Sequence, residues 1–350
     1  MRLHLVAMPH TKVTADFCGC AYTAKALKFC KMMTAIGHEV ILYAPEGSDE
    51  TYAKLVVCLT NEERIGIFGE DDSSRLPAWP NDDEWRLFNQ RAIEGIKENA
   101  DPHDLVLLAS GWSQKAIQDA LPDLLYCEPG VGYEGILTSR CAFESYAWMH
   151  HIYGKANIND GRWYDAVIPN YFDMADFPTI GEGKGGYLAY LGRLIHRKGV
   201  ETAAQIAKDM GMPLKIAGAG HMNLPGDVEF IGPVNVQQRA EFLGGAVALL
   251  TPTYYIEPFG GVAIEGMMSG TPVITTDWGA FSETVKNDVS GYRFRLLREA
   301  IEGVEKAASL DRNAVRQYAI DNYSLEAVGP MFDKWFNNLQ TLWGDGWYAK

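Results

Sequence analysis

Apolar positions in this chain fall into short runs, separated by stretches in which they recur at helical spacing. Arg2–Met8 reads as a strand. From Tyr22 to Ile36, the residues Tyr22, Ala26, Phe29, Met33 and Ile36 form one stripe, and Gly37 stops the helix they predict. Further strands are expected at 38–44, 105–109, 124–127 and 166–168, with helices near 84–99 and 138–152. Residues 173–186, DMADFPTIGEGKGG, are poor in large apolar side chains and rich in glycine, so they read as a linker. The alternation then restarts. Strands are expected at 187–191, 214–217, 228–231, 246–250 and 272–275, and helices near 198–210, 235–244, 260–269 and 281–286. From about 298 onward the pattern is helical. Alternation of this kind predicts an α/β protein with two doubly wound parallel sheets and a cleft between them. The expected division is a domain over 1–172, a linker over 173–186, a second domain over 187–320 and a helical tail over 321–350. Ligands of such sheets sit beyond the carboxyl ends of the strands.

Composition narrows the class. A chain of 350 residues suits two domains, and 47% hydrophobic with 22% charged residues is a soluble, globular balance. The formal charge of −14 argues against broad, nonspecific contact with nucleic acid or anionic lipid. The acid-rich run 62–86 reads as a solvated loop. Lys12, Lys25, Lys28 and Lys31 gather around the first helix and read as its solvated face. The six cysteines show no CxxC pair and no zinc-site spacing with histidine, so reduced thiols in a cytoplasm are expected, with no metal site. The opening apolar run is short and meets Pro9, as a strand does and a signal peptide does not. No apolar run approaches the ~18 residues that span a bilayer.

Three stretches carry chemistry. In YLAYLGRLIHRKGVE, 187–201, a strand ends before Gly192, and Arg193 and Lys198 flank a turn that opens a helix. A helix N-terminus attracts anions, and a guanidinium fork with an ammonium suits a diphosphate; a solvated basic loop is the plainer reading. In YYIEPFGGVAIEGMM, 254–268, Glu257 and Glu265 flank Pro258 and the pair Gly260-Gly261. Glycines let a sugar or phosphate approach the backbone closely. Glu257 suits sugar hydroxyls or, more plainly, a helix start favoured by the dipole. Glu265 suits a second diol such as a ribose or, more plainly, an exposed helix position. In DAVIPNYFDMADF, 165–177, Asn170 follows a strand at the domain junction, where it either turns the chain or lines the cleft.

LGRLIHRKG, EPFGGVAIE, GTPVITTDWGAFSE and VIPNYFD together resemble the retaining glycosyltransferases of the GT-B fold, of the family 4 type with its Glu-x7-Glu motif. The resemblance is clear over 165–295. It implies metal-independent transfer of a sugar from a nucleotide-sugar, UDP- or GDP-linked, with retention of configuration and with no cofactor. It implies that Arg193 and Lys198 neutralise the donor diphosphate, that Glu257 contacts the donor sugar and that Glu265 binds the ribose. It makes Gly192, Phe259, Gly260, Gly261 and Val262 further donor contacts. The acceptor is expected on the first domain, and the helical tail is expected to cross back to that domain. Peripheral membrane contact through the first helix is a family option. The first half departs from the pattern. A glycine-rich loop is reduced to Gly19 beside Cys20, and the usual histidine is replaced by Glu128, Tyr133 and Glu134, with His150 and His151 further on. Gly19, Cys20, Glu128, Tyr133, His150 and Asn170 are thus candidate acceptor or donor-sugar contacts, and an unusual acceptor is implied. A glycan, lipid-linked or small-molecule acceptor is expected ahead of nucleic acid. Two other readings stand beside transfer: a nucleotide-sugar 2-epimerase and a non-catalytic nucleotide-sugar sensor.

Overall fold

The computed structural model describes residues 1–17, 20–69 and 83–346. It divides into two units. The first comprises Met1–Glu144, Ile152–Ile168 and Val328–Lys350; the second comprises Ser145–His151 and Pro169–Ala327.

In the first unit the strands are β1 (Arg2–Val6), β2 (Glu39–Pro45), β3 (Lys54–Leu59), β4 (Leu105–Leu108), β5 (Leu125–Val131), β6 (Cys141–Phe143) and β7 (Ala166–Val167). They form one sheet in the order β3-β2-β1-β4-β5-β6-β7, with every pairing parallel. Helices α1 (Ala21–Ala35), α2 (Asn61–Phe68), α3 (Asp83–Asn99) and α4 (Lys115–Ala120) connect the strands, and α5 (Tyr146–Lys155) follows β6. Helices cover both faces of such a sheet, so its central strands are continuously apolar. Leu105–Leu108 is buried at all four positions.

The second unit has the strands β8 (Leu188–Leu191), β9 (Leu214–Ala217), β10 (Val228–Gly232), β11 (Ala248–Thr251), β12 (Val273–Thr276) and β13 (Gly291–Phe294). Their order is β10-β9-β8-β11-β12-β13, again all parallel. The helices are α6 (Val200–Met210), α7 (Val236–Gly245), α8 (Gly261–Met268), α9 (Phe281–Thr284), α10 (Leu297–Ala307) and α11 (Arg312–Tyr323). The final long helix, α12 (Leu325–Gln340), runs into Val328–Lys350, which belongs to the first unit. There Phe332 and Phe336 meet Phe29 of α1 edge-on, with centroids 5.5 and 6.3 Å apart. His38 bonds Asp333 at 3.0 Å, and the Trp335 indole donates to the Tyr164 carbonyl at 2.8 Å.

Several expectations are corrected. Residues 173–186 lie within the second unit rather than standing as a separate linker. Gly181 and Gly183 donate to the carbonyls of Ser269 and Gly244, each at 3.1 Å. A Cβ on Gly181 would lie 2.0 Å from the Gly244 oxygen, so only glycine permits this approach. Arg316 donates to the carbonyls of Phe177 and Met268 at 2.7 and 2.9 Å, and Arg312 to Gly181 at 2.7 Å. Burial lowers the pKa of both guanidinium groups. The run 62–86 is not one solvated loop. Thr60 and Glu63 form a capping box on α2, and Glu63 grips Arg91 of α3 at 2.6 and 2.7 Å. Its residues 70–82 lie outside the described ones. The expected helix 138–152 starts later, because the fully buried Cys141–Phe143 is strand β6. Strands β3 and β13, both at sheet edges, were not anticipated. The first-helix lysines are not a uniform solvated face: Lys25 pairs with the buried Glu144 and donates to the Gly130 carbonyl at 2.9 Å.

Candidate functional site

Strand β8 is the first strand of its sheet, and its neighbours β9 and β11 leave it in opposite directions. The order therefore reverses between β8 and β11, where an open α/β sheet leaves a crevice at the carboxyl ends of its strands. A cavity of ≈ 60 Å³ occupies this point. Leu191 and Gly192 line it from the end of β8, Thr251 and Thr253 from the end of β11, and Gly260–Ala263 from the start of α8. Tyr190, Lys198, Glu257 and Phe281 complete the wall.

Local geometry explains the wall. Gly260 is the N-cap of α8 with φ +80°, a conformation glycine adopts without strain. No side chain caps the helix, so amide N–H groups of its first turn remain for a ligand. Lys198 ends a short 3-10 turn, His196–Lys198, and α6 begins two residues later. The loops after β8 and β11 are tied together where the Tyr254 amide donates to the Arg197 carbonyl at 2.9 Å.

At the cavity Lys198 Nζ lies 2.7 Å from Glu257 Oε2, with side chains 22% and 12% exposed. Tyr255 packs beside this pair. Its ring carries Arg197 at 4.0 Å and Lys198 Nζ at 4.9 Å. Burial first, then the Glu257 charge, holds the Tyr255 hydroxyl far above the ordinary phenol range. Arg193 is exposed, and its positive charge is felt at Tyr190 and Tyr255.

Of the expected donor residues, the structure brings Gly192, Lys198, Glu257, Gly260, Gly261 and Val262 around this cavity. The other three are placed differently. Phe259 turns its side chain into the core, stacked on Phe172 at 6.3 Å and edge-on to Tyr323 at 5.7 Å. Glu265 is not an exposed helix residue: its Oε1 lies 2.9 Å from Arg239 Nη1. Arg193 does not line the cavity wall.

In the first unit Glu128 is fully buried and accepts from the Tyr133 hydroxyl at 2.9 Å and from the amides of Leu137 and Thr138 at 2.9 and 2.6 Å. Burial raises its carboxyl pKa against the pull of those donors. Glu128 and the half-buried Tyr133 therefore brace the loop after β5. Cys20, also buried, sits 3.2 Å from His10 Nε2. Gly19 lies outside the described residues. In the second unit His150 is exposed beside Tyr146 on α5, whose first amides donate to Glu283 at 2.9 and 2.7 Å. The half-buried Asn170 takes the Tyr171 amide on its own Oδ1 at 2.8 Å, a turn contact. Among the described residues five cysteines are free and buried, and burial pushes the thiols of Cys30 and Cys58 up to about 12. No helix among the described residues is long and apolar enough to cross a membrane. The sequence reading missed Tyr255 and Arg239. Tyr255, two positions before Glu257, offered an aromatic signal; Arg239 offered none, because its partner lies on another helix.

Residues 176–319 match the family model for glycosyl transferases group 1. The chain is 32% identical over 119 residues to an uncharacterized glycosyltransferase of Methanocaldococcus jannaschii, covering 30% of each chain. It is 29% identical over 183 residues to a phosphatidyl-myo-inositol mannosyltransferase of Propionibacterium freudenreichii, covering 47% of this chain and 48% of the relative. The matches thus span less than half of these curated relatives. In structure the chain is similar to AviGT4, a glycosyltransferase involved in avilamycin A biosynthesis, with a TM-score of 0.70 at 21% identity over 97% of this chain and 98% of that one. Residues 176–319 are thus similar to glycosyl transferases group 1, and the two parallel-sheet units have the GT-B fold.

Proposed function

We propose that this protein is a retaining glycosyltransferase, moving a hexosyl group from a UDP- or GDP-linked sugar to the hydroxyl of a glycan, lipid-linked or small-molecule acceptor. The observation that carries this reading is the Lys198–Glu257 pair, 2.7 Å apart, beside the uncapped start of α8 at the point where the strand order reverses. The bond from the anomeric carbon to the diphosphate breaks, and one to the acceptor oxygen forms on the same face. The acceptor hydroxyl passes its proton to the departing diphosphate oxygen, on which negative charge grows as the old bond breaks. Lys198, Arg193 and the first amides of α8 oppose that charge in a site already shaped for it. Glu257, relieved of Lys198, accepts hydrogen bonds from the donor sugar. The family match, and relatives described as a glycosyltransferase and a mannosyltransferase, favour transfer over epimerisation or simple sensing.

The test is a thermal-shift series with UDP-, GDP- and ADP-sugars, followed by turnover of Lys198→Ala on the sugar that binds. One class of donor raises the melting temperature, because a ligand that binds only the folded state stabilises it by mass action. Lys198→Ala slows transfer by roughly 10²-fold, as loss of one preorganised charge donor does. No shift with any nucleotide-sugar, or near wild-type turnover in the variant, rejects the reading.

A further inference from the structure

Arg239 stands on α7, away from the cavity wall, in a segment that no functional reading used. The guanidinium Nη1 meets Glu265 Oε1 at 2.9 Å, and the two side chains are 15% and 13% exposed. Its carbon Cζ lies 6.0 Å from the centroid of the Phe177 ring, itself fully buried. Both supporting helices are firmly placed. An Asn235–Gln238 capping box starts α7, and Ala240, Leu243, Ile264 and Met267 bury the neighbouring positions in one core cluster. The pair is therefore held by rigid backbone at both ends.

Two physical demands meet at Glu265. It lies one helical turn beyond Gly261, on the helix whose first turn lines the cavity. A carboxylate this close to a diphosphate would repel it, and a nearly buried carboxylate without a partner is costly in itself. One cation in direct contact answers both. It cancels the charge, and it holds Oε1 at 2.9 Å. We infer that Arg239 is a positioning residue for donor binding: it neutralises Glu265 and holds its Oε1, so that Oε2 is presented to the ribose hydroxyls of the nucleoside diphosphate. This inference rests on the donor reading proposed above.

A ribose contact is separable from general binding. The experiment uses the full chain and titrates the free nucleoside diphosphate selected by the thermal-shift series, together with its 2′,3′-dideoxy form. Wild-type protein prefers the ribonucleotide by about tenfold or more, the scale of a hydrogen bond to a charged acceptor. Arg239→Met lowers ribonucleotide affinity by a similar factor and leaves dideoxynucleotide affinity unchanged, so the ratio falls towards one. Arg239→Lys, which keeps the charge, recovers part of the ratio. Glu265→Gln collapses it as Arg239→Met does, and the double variant loses no more. A purely structural role would lower both affinities together and spare the ratio. If Arg239→Met folds poorly, Arg239→Lys and Glu265→Gln still report the ratio. Retention of the wild-type ratio in Arg239→Met, or no ratio in wild type, overturns the role given to Arg239 while leaving donor binding intact. Failure of wild type to bind any nucleoside diphosphate rejects the donor reading itself.

Discussion

Carboxylates that look alike in the sequence have different fates. Glu128 is buried under a hydroxyl and two amides, Glu257 faces a cavity with a lysine, and Glu265 faces an arginine. Each obeys one rule: a carboxylate leaves water only with donors or a cation in reach. Gly260 shows the same dependence on surroundings. Its φ is +80°, and a Cβ there would lie 2.3 Å from Phe281 Cε1. Gly211 has φ +63° with open space around it. Gly211→Ala should cost only the left-handed strain, about 1–2 kcal/mol. Gly260→Ala should cost more, and should also abolish the thermal shift given by the donor, because the cavity wall moves with the helix start. Denaturant unfolding of both variants checks the order; equal costs would show that Phe281 yields freely.

Among the elements, the long central strands and the amphipathic helices were legible because one residue type repeats at one period. Short or edge pieces were not. Cys141–Phe143 is apolar throughout and fits either period, and Lys54–Leu59 gains its identity from pairing with β2. Helix α2 was hidden by its charge, yet that charge builds it: the Thr60–Glu63 capping box closes its start, and Arg91 holds Glu63. Hydrogen bonds from Arg91 and from the Thr60 amide hold the Glu63 carboxyl down at about 2, below its ordinary value of 4.5. A lowered carboxylate contributes stability that is present above the ordinary value and is lost as pH falls through the folded one. Wild type should therefore lose stability on acidification across this window, and Glu63→Gln should lose less. Urea midpoints at about pH 5, 4 and 3 measure the difference. Parallel acid limbs in the two proteins would remove the pair from the account.

For the whole molecule, Val328–Lys350 matters most to the first unit, where Phe332 and Phe336 are buried against α1. Loss of one buried aromatic ring costs about 3–5 kcal/mol, and a domain holds only about 5–15 kcal/mol in all. A chain ending at Ala327 should thus lose hydrogen-exchange protection in β1 and β2; protected amides there would show that the tail is dispensable. The sequence by itself determined the α/β alternation, the two sheets and six of the residues bordering the cavity, Gly192, Lys198, Glu257, Gly260, Gly261 and Val262, because hydrophobic period, glycine placement and charge type are local properties. Only the tertiary structure decided which charges meet. Lys198 and Glu257 are 59 positions apart, and Arg239 and Glu265 come from different helices. Such pairs form where strand order and helix packing bring distant backbone together, and no local pattern records that.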